Sequence, residues 1–162
     1  MHFLTNQQNT DMNGFTSTAY RFILLGFASL IIGLGFGSIG SVQYVLPDFL
    51  KEQLSFQKTR PLHVYLVINW IFSCAAGIVY YYLSTLATKR SYSKQLAAFH
   101  FYLQLMILII VITGFLTGKF GGREYLEFPP WVVIIIVASW LCFMGAFFSE
   151  TGFVFKSAPL YI

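Results

Sequence analysis

Charged residues and cysteines are both scarce in this chain of 162 residues. Lys and Arg together number 10 and Asp and Glu 6, which makes 10% of the sequence, whereas a soluble domain carries about a quarter. This low charge argues against intrinsic disorder, a nucleic-acid-binding domain and an ordinary cytosolic enzyme. The two cysteines, Cys74 and Cys142, lie in apolar stretches and form no Cys-x-x-Cys pair, which favours buried structural roles over a disulfide or a metal site.

Apolar residues dominate instead, at 57% of the chain, and the mean hydropathy is +0.68. All charged residues fall outside four apolar stretches, at about 22–46, 61–86, 96–118 and 130–149. Each stretch has the ~20 residues that cross a bilayer as a helix, and all are too long and too uniformly apolar for barrel strands. The sequence therefore predicts an all-α integral membrane four-helix bundle in a lipid bilayer. Its predicted parts are a polar N-terminal segment, a membrane domain and a tail, at 1–21, 22–149 and 150–162.

Four helices place both termini on the same side of the membrane, but charge does not decide which side. The Lys and Arg residues divide equally between the two sides, and only the acid-free loop TKRSYSK favours cytoplasmic termini. The predicted spans contain no Asp, Glu, Lys or Arg and no inverted repeat, which argues against a transporter or channel. No nucleophile–base set or complete metal site is present, which argues against a stand-alone enzyme.

Small residues recur along the first helix at intervals of seven or four, at Gly26, Gly33, Gly37 and Ser41. Such spacing lets another helix approach closely in a membrane, where van der Waals contact drives association. The pattern fits two interpretations equally, close packing within this bundle and an interface with another subunit.

The histidines are the candidates for chemistry. His2 lies in the polar N-terminal segment, whereas His63 and His100 lie near the starts of the second and third helices. A neutral imidazole is a usual axial ligand of haem iron, and helical bundles hold haem between histidines. Because these two helices run in opposite directions, His63 and His100 are expected about 25 Å apart at 1.5 Å per residue, so they cannot bind one iron.

His63 shares one helix face with Trp70 and Gly77, which follow at seven-residue steps. Gly77 leaves room on that face. Arg60, one turn before His63, either extends to the membrane surface or pairs with an anion such as a haem propionate. The spacing thus makes His63, Arg60, Trp70 and Gly77 candidate haem-binding residues, with His63 as the iron ligand. The alternative is an interior histidine held by a hydrogen bond.

Three segments carry a resemblance to a known family. They are SVQYVLPDFL (41–50), RPLHVYLVINWIFSCAAGIVYYYL (60–83) and GGREYLEFPPW (121–131). Their order and spacing, over about 40–150, resemble the N-terminal third of the large, haem-carrying subunit of nitric oxide reductases, in the haem-copper oxidase superfamily.

The resemblance implies a specific site. His63 would be an axial ligand of a low-spin haem b near the outer face of the membrane. Glu124 would bind a calcium ion that also contacts the haem propionates, Glu127 is a further candidate metal ligand, and Arg123 lies in the same outer loop. The alternative for these three loop residues is a solvated loop with local ion pairs. The resemblance also implies cytoplasmic termini, a bacterial inner (cytoplasmic) membrane and a cytochrome c among the partners.

The chain also departs from this family. The family's second haem b ligand and the ligands of its reaction centre come from later helices, and Tyr65 stands where the family has asparagine. His100 has no counterpart, and a hydrogen bond to a neighbouring helix is expected for it.

Three hypotheses therefore remain open. The chain is a non-catalytic subunit of a respiratory, denitrification-related complex that shares a haem b with a partner chain, which would supply the second ligand. It is one piece of a split nitric oxide reductase. Or it is a haem-free structural or assembly subunit of a respiratory or nitrous-oxide-reducing system.

Overall fold

The structure is a computed structural model that describes the backbone of residues 2–86, 91–123 and 126–151 and the side chains of 14–85, 93–123 and 126–151. It contains four helices, which are α1 (His2–Val45), α2 (Phe56–Leu86), α3 (Ser91–Leu116) and α4 (Val132–Thr151). All four are long and apolar enough to cross a membrane, and the described residues form no strand beyond an isolated bridge between Arg123 and Leu126. The predicted all-α membrane bundle is confirmed.

Helix α1 begins about 20 residues before the apolar stretch from which it was predicted. Phe15, Ala19 and Phe22 are buried and lie one turn apart, so this part of α1 packs inside the bundle against Tyr80 of α2. The helical spacing of Phe15 and Ala19, in the polar segment, with Phe22, where the apolar stretch begins, was the sequence signal for this extension. Average hydropathy conceals it, because the intervening residues are polar.

The contact between α1 and α2 is built on glycines. A Cβ at Gly26 would lie 2.5 Å from the Cys74 sulfur, and one at Gly33 would lie 3.0 Å from the Cβ of Leu66. The small-residue stripe of α1 therefore faces α2. Of the two interpretations of this pattern, the structure supports close packing within the bundle and not a subunit interface. Gly77 makes the reciprocal contact from α2, since a Cβ there would lie 2.8 Å from the Ile23 side chain.

A hydrogen-bonded chain of polar side chains crosses three helices between the two ends of the bundle. The Gln104 amide of α3 donates to Asn69 Oδ1 of α2 (2.7 Å), and Asn69 Nδ2 donates to Ser29 Oγ of α1 (2.8 Å). Interhelical hydrogen bonds of this kind stabilise helix association in lipid. On either side lie two apolar clusters, one around Tyr80 and one around Phe115.

His100 belongs to the cluster around Tyr80. It is buried, and its Nδ1 lies 2.8 Å from the Tyr80 hydroxyl of α2. The predicted hydrogen bond to a neighbouring helix is confirmed. Tyr80 follows His63 by 17 positions on α2, about 25 Å at 1.5 Å per residue, so the two histidines occupy opposite ends of the bundle.

Candidate functional site

The His63 side chain lies between α1 and α2, where it is half-buried. Its Nδ1 is 2.8 Å from the carbonyl oxygen of Gly33, one of the α1 residues that face α2. A carbonyl oxygen accepts only, so Nδ1–H is the donor. The neutral ring then keeps an unprotonated Nε2 with a free lone pair.

A cavity of about 380 Å³ opens beside this imidazole, between α1 and α2. His63 and Arg60 line it from α2, and Gly37, Gly40 and Tyr44 line it from α1. Its volume lies in the ordinary range of small-molecule sites. Because the cavity is open at the surface of the chain, a large planar ligand seated here would have only one face covered by these residues.

Arg60 and Glu127 form an ion pair beside the cavity. Arg60 Nη1 lies 3.1 Å from Glu127 Oε1, and the side chains are 46% and 19% exposed. This contact joins the first turns of α2 to the loop between α3 and α4. Of the two alternatives for the loop, a local ion pair is therefore present at Glu127.

The shape of the α3–α4 loop depends on glycines. Gly118 and Gly122 have φ angles of +75° and +73°, which favour glycine, and a Cβ at Gly121 would collide with the Phe128 carbonyl. Phe128 is buried in the cluster around Phe115, and it anchors the loop there. The neighbouring Glu127 is thereby held against α2.

Gln43 lies at the same end of the bundle as His63, and the sequence indicated it only as part of the family motif at 41–50. Its buried amide Nε2 donates to the carbonyls of Phe49 (3.0 Å) and Leu54, and its Oε1 accepts from the Thr59 hydroxyl (3.1 Å). These bonds fasten the α1–α2 loop over the start of α2. Gln43 therefore helps to fix the segment that carries Arg60 and His63.

The other predicted site residues are placed differently. Trp70 and Gly77 do not line the cavity beside His63. The space beside Gly77, which was predicted to be open, is occupied by residues of α1. Arg123 is exposed, with its carbonyl in a turn to Leu126. Glu124 lies outside the described residues. Among the residues that are described, no group of three His, Cys, Asp or Glu side chains could hold a metal ion, and the calcium site stays a prediction.

Three relatives of this chain are named as subunits of cytochrome c oxidases or of a nitric oxide reductase. It is 30% identical to the Cbb3-type cytochrome c oxidase subunit CcoN1 of Stutzerimonas stutzeri, over 85% of this chain and 31% of that protein. It is 29% identical to the B subunit of nitric oxide reductase from the same organism, over 77% of this chain and 29% of that one. A third relative, the cytochrome c oxidase subunit 1 homolog of Agrobacterium tumefaciens (strain T37), is 29% identical over 72% of this chain and 22% of its own length.

The chain thus spans less than a third of the length of each of these curated relatives. The family of cytochrome c and quinol oxidase polypeptide I matches residues 17–160, nearly the whole chain. The resemblance to the haem-copper oxidase superfamily is confirmed by this match. The chain with its glycine-packed helices and its half-buried His63 belongs to the cytochrome c and quinol oxidase polypeptide I family.

Proposed function

We propose that this chain carries one axial ligand of a b-type haem, His63, in a respiratory membrane complex, and shares that haem with a partner chain. Family membership supports a respiratory membrane subunit and implies haem as the cofactor. The observation that carries the finer proposal is the His63 ring. Its Nδ1 is engaged by the Gly33 carbonyl, so the lone pair of Nε2 is not used by that bond, and His63 lines an open cavity.

The residues around this cavity fit a haem edge. An imidazole ligand typically donates its second ring N–H to a carbonyl or carboxylate, as His63 does to Gly33. Arg60 supplies a guanidinium that can hold a propionate while it remains paired with Glu127. A bound haem would supply a one-electron centre, and the chain's own contribution is to orient the ligand and balance the charge at its edge.

The second axial ligand comes from another chain in this proposal. His100 is buried at the opposite end of the bundle in a hydrogen bond to Tyr80, so it is not the partner of His63. The open side of the cavity is the place for a partner helix. This partner is another membrane subunit, and a cytochrome c is proposed as the electron donor.

Two finer assignments belong to this proposal. The motifs 41–50 and 121–131 favour a nitric oxide-reducing, denitrification-related complex in the bacterial inner membrane, and Glu124 is proposed to add a calcium ligand beside the propionates. The similarity to CcoN1 supports an oxygen-reducing complex as the second candidate. The gas consumed by the purified complex, nitric oxide or oxygen, separates the two.

The test is the haem spectrum of the complex purified with whatever subunits accompany the chain. Reduced-minus-oxidised difference spectra are expected to show a b-type α-band, which His63→Ala removes because the iron loses a ligand. His2→Ala is the matched control and is expected to keep the band. A complex that assembles with His63→Ala and retains its full haem content contradicts the proposal and favours a haem-free structural subunit.

A further inference from the structure

The ring of His63 is held by α1 and not by its own helix. The contact that fixes it joins Nδ1 to the Gly33 carbonyl across 2.8 Å, and the ring then lies over Gly37, one turn further along α1. These two glycines contribute backbone only. Gly26 packs α1 against α2 further from His63, and it does not contact the ring.

The Gly33 carbonyl determines which ring nitrogen carries the proton. Because the oxygen can only accept, the neutral ring is held in the form with Nδ1–H, and Nε2 keeps its lone pair. The same hydrogen bond fixes the plane of the ring. An imidazole without this partner would exchange between both neutral forms and rotate about its side-chain bonds.

Gly37 provides the space in which the ring lies. A Cβ built at this position would be 2.7 Å from Nδ1 and 2.8 Å from Cε1 of His63, closer than side-chain carbons approach in proteins. The nearest atoms belong to the imidazole ring itself and not to the end of a long flexible side chain. A side chain at position 37 therefore requires the ring, or the packing of α1 against α2, to shift.

Two other glycines of α1 do not touch the ring. A Cβ at Gly40, which also lines the cavity, would lie 3.5 Å from Thr59 Oγ1, an ordinary contact. A Cβ at Gly35 would meet nothing within 4 Å. Replacement of any of these glycines by alanine raises the helix propensity of α1 similarly, so only contact with His63 distinguishes them.

We infer that Gly33 and Gly37 are positioning residues for His63: the Gly33 carbonyl fixes the Nδ1–H form and Gly37 gives the ring its place, so that Nε2 faces the cavity. The inference rests on the proposed function for what Nε2 binds. The geometry of the ring itself is independent of that function and is measured separately.

The first measurement needs no haem, and its result is read from the wild-type chain. The full chain in lipid nanodiscs, labelled with ¹⁵N-histidine and ¹³C-carbonyl glycine, is studied by solid-state NMR, and the His63 signals are assigned by their loss in His63→Ala. A protonated Nδ1, an unprotonated Nε2 and a dipolar coupling of Nδ1 to a glycine carbonyl are expected. An Nε2-protonated ring, or no such coupling, overturns the inference.

The second measurement compares Gly37→Ala with Gly35→Ala, a position of α1 that does not line the cavity. Only Gly37→Ala is expected to lose the single Nδ1–H form of His63. In the purified complex it should also weaken haem retention about 10- to 100-fold and shift the low-spin electron paramagnetic resonance signal. Wild-type signals in Gly37→Ala, or equal changes in Gly37→Ala and Gly35→Ala, overturn the inference.

The two proposals fail in distinguishable ways. If His63→Ala keeps its haem while wild-type His63 shows the Nδ1–H form, the proposed function fails and the positioning of the ring by α1 stands. If His63→Ala loses its haem but Gly37→Ala behaves as the wild type in both measurements, the proposed function stands and the role of Gly37 fails.

Discussion

At the scale of single residues, the buried polar pair of His100 and Tyr80 joins two helices of the bundle. His100 and Tyr80 are buried together in a ring cluster with Phe22, Trp140 and Phe143, at centroid distances from His100 of 4.7 to 5.8 Å. Their hydrogen bond joins α3 to α2, and both side chains are buried. A buried polar atom that loses its partner costs about 1–3 kcal/mol.

Tyr80→Phe is therefore expected to destabilise the chain by about 1–3 kcal/mol, because it leaves the His100 nitrogen without its partner. Reversible unfolding in mixed micelles, followed by circular dichroism, measures the effect. Tyr81→Phe is the matched control: Tyr81 is 52% exposed, and its substitution is expected to leave the midpoint unchanged. Equal midpoints for Tyr80→Phe and the wild type would contradict a stabilising role for this bond.

At the scale of elements, the contact between α1 and α2 is more extensive than that of any other pair of helices, and glycines allow the close approach. Gly77 brings α2 against the Ala19 carbonyl and the Ile23 side chain of α1, and Gly26 brings α1 against the Trp70 carbonyl of α2. Because lipid supplies no hydrophobic drive between helices, close contact is the main source of their association. This contact also sets the distance between Gly33 and His63.

Gly77→Leu is expected to destabilise the bundle by about 1–3 kcal/mol or more, since its side chain would overlap α1. Gly35→Leu on α1 is the control, because its side chain would extend into open space and should cost little. The same micelle unfolding assay compares the two. Indistinguishable midpoints would show that Gly77 is not at a close helix contact.

At the scale of the whole molecule, one end of the bundle gathers the residues of the candidate site. His63, Arg60 and Glu127 lie there with the α1–α2 and α3–α4 loops, whereas His100 lies towards the other end. The sidedness of this end decides what reaches it. We propose that it faces the outside of the cytoplasmic membrane and that both termini face the cytoplasm.

This orientation predicts the labelling of single cysteines in intact cells, in a background where Cys74 and Cys142 are replaced by serine. Lys51→Cys, in the exposed α1–α2 loop, is expected to react with a membrane-impermeant maleimide, because this loop lies at the His63 end. Lys89→Cys, in the segment that joins α2 to α3, is expected to react only after the membrane is permeabilised. The opposite pattern would reverse the proposed topology.

The number and type of the helices followed from the sequence because lipid penalises charge and unpaired backbone, so apolar length alone marks each span. The start of α1 did not follow, since the burial of Phe15 and Ala19 depends on what α2 places opposite them. The large distance between His63 and His100 was also predictable, because it follows from the rise per residue and the opposite directions of their helices.

Four membrane helices, the family and the candidate ligand His63 could thus be recognised from the amino-acid sequence alone. Which surfaces meet became known from the packing of the helices. That packing turns Gly77 towards α1 and away from any cofactor, pairs Arg60 with Glu127, and places the Gly33 carbonyl against His63. The difference arises because hydropathy is a property of each segment, whereas close contact and hydrogen-bond direction depend on the rotation of one helix against another.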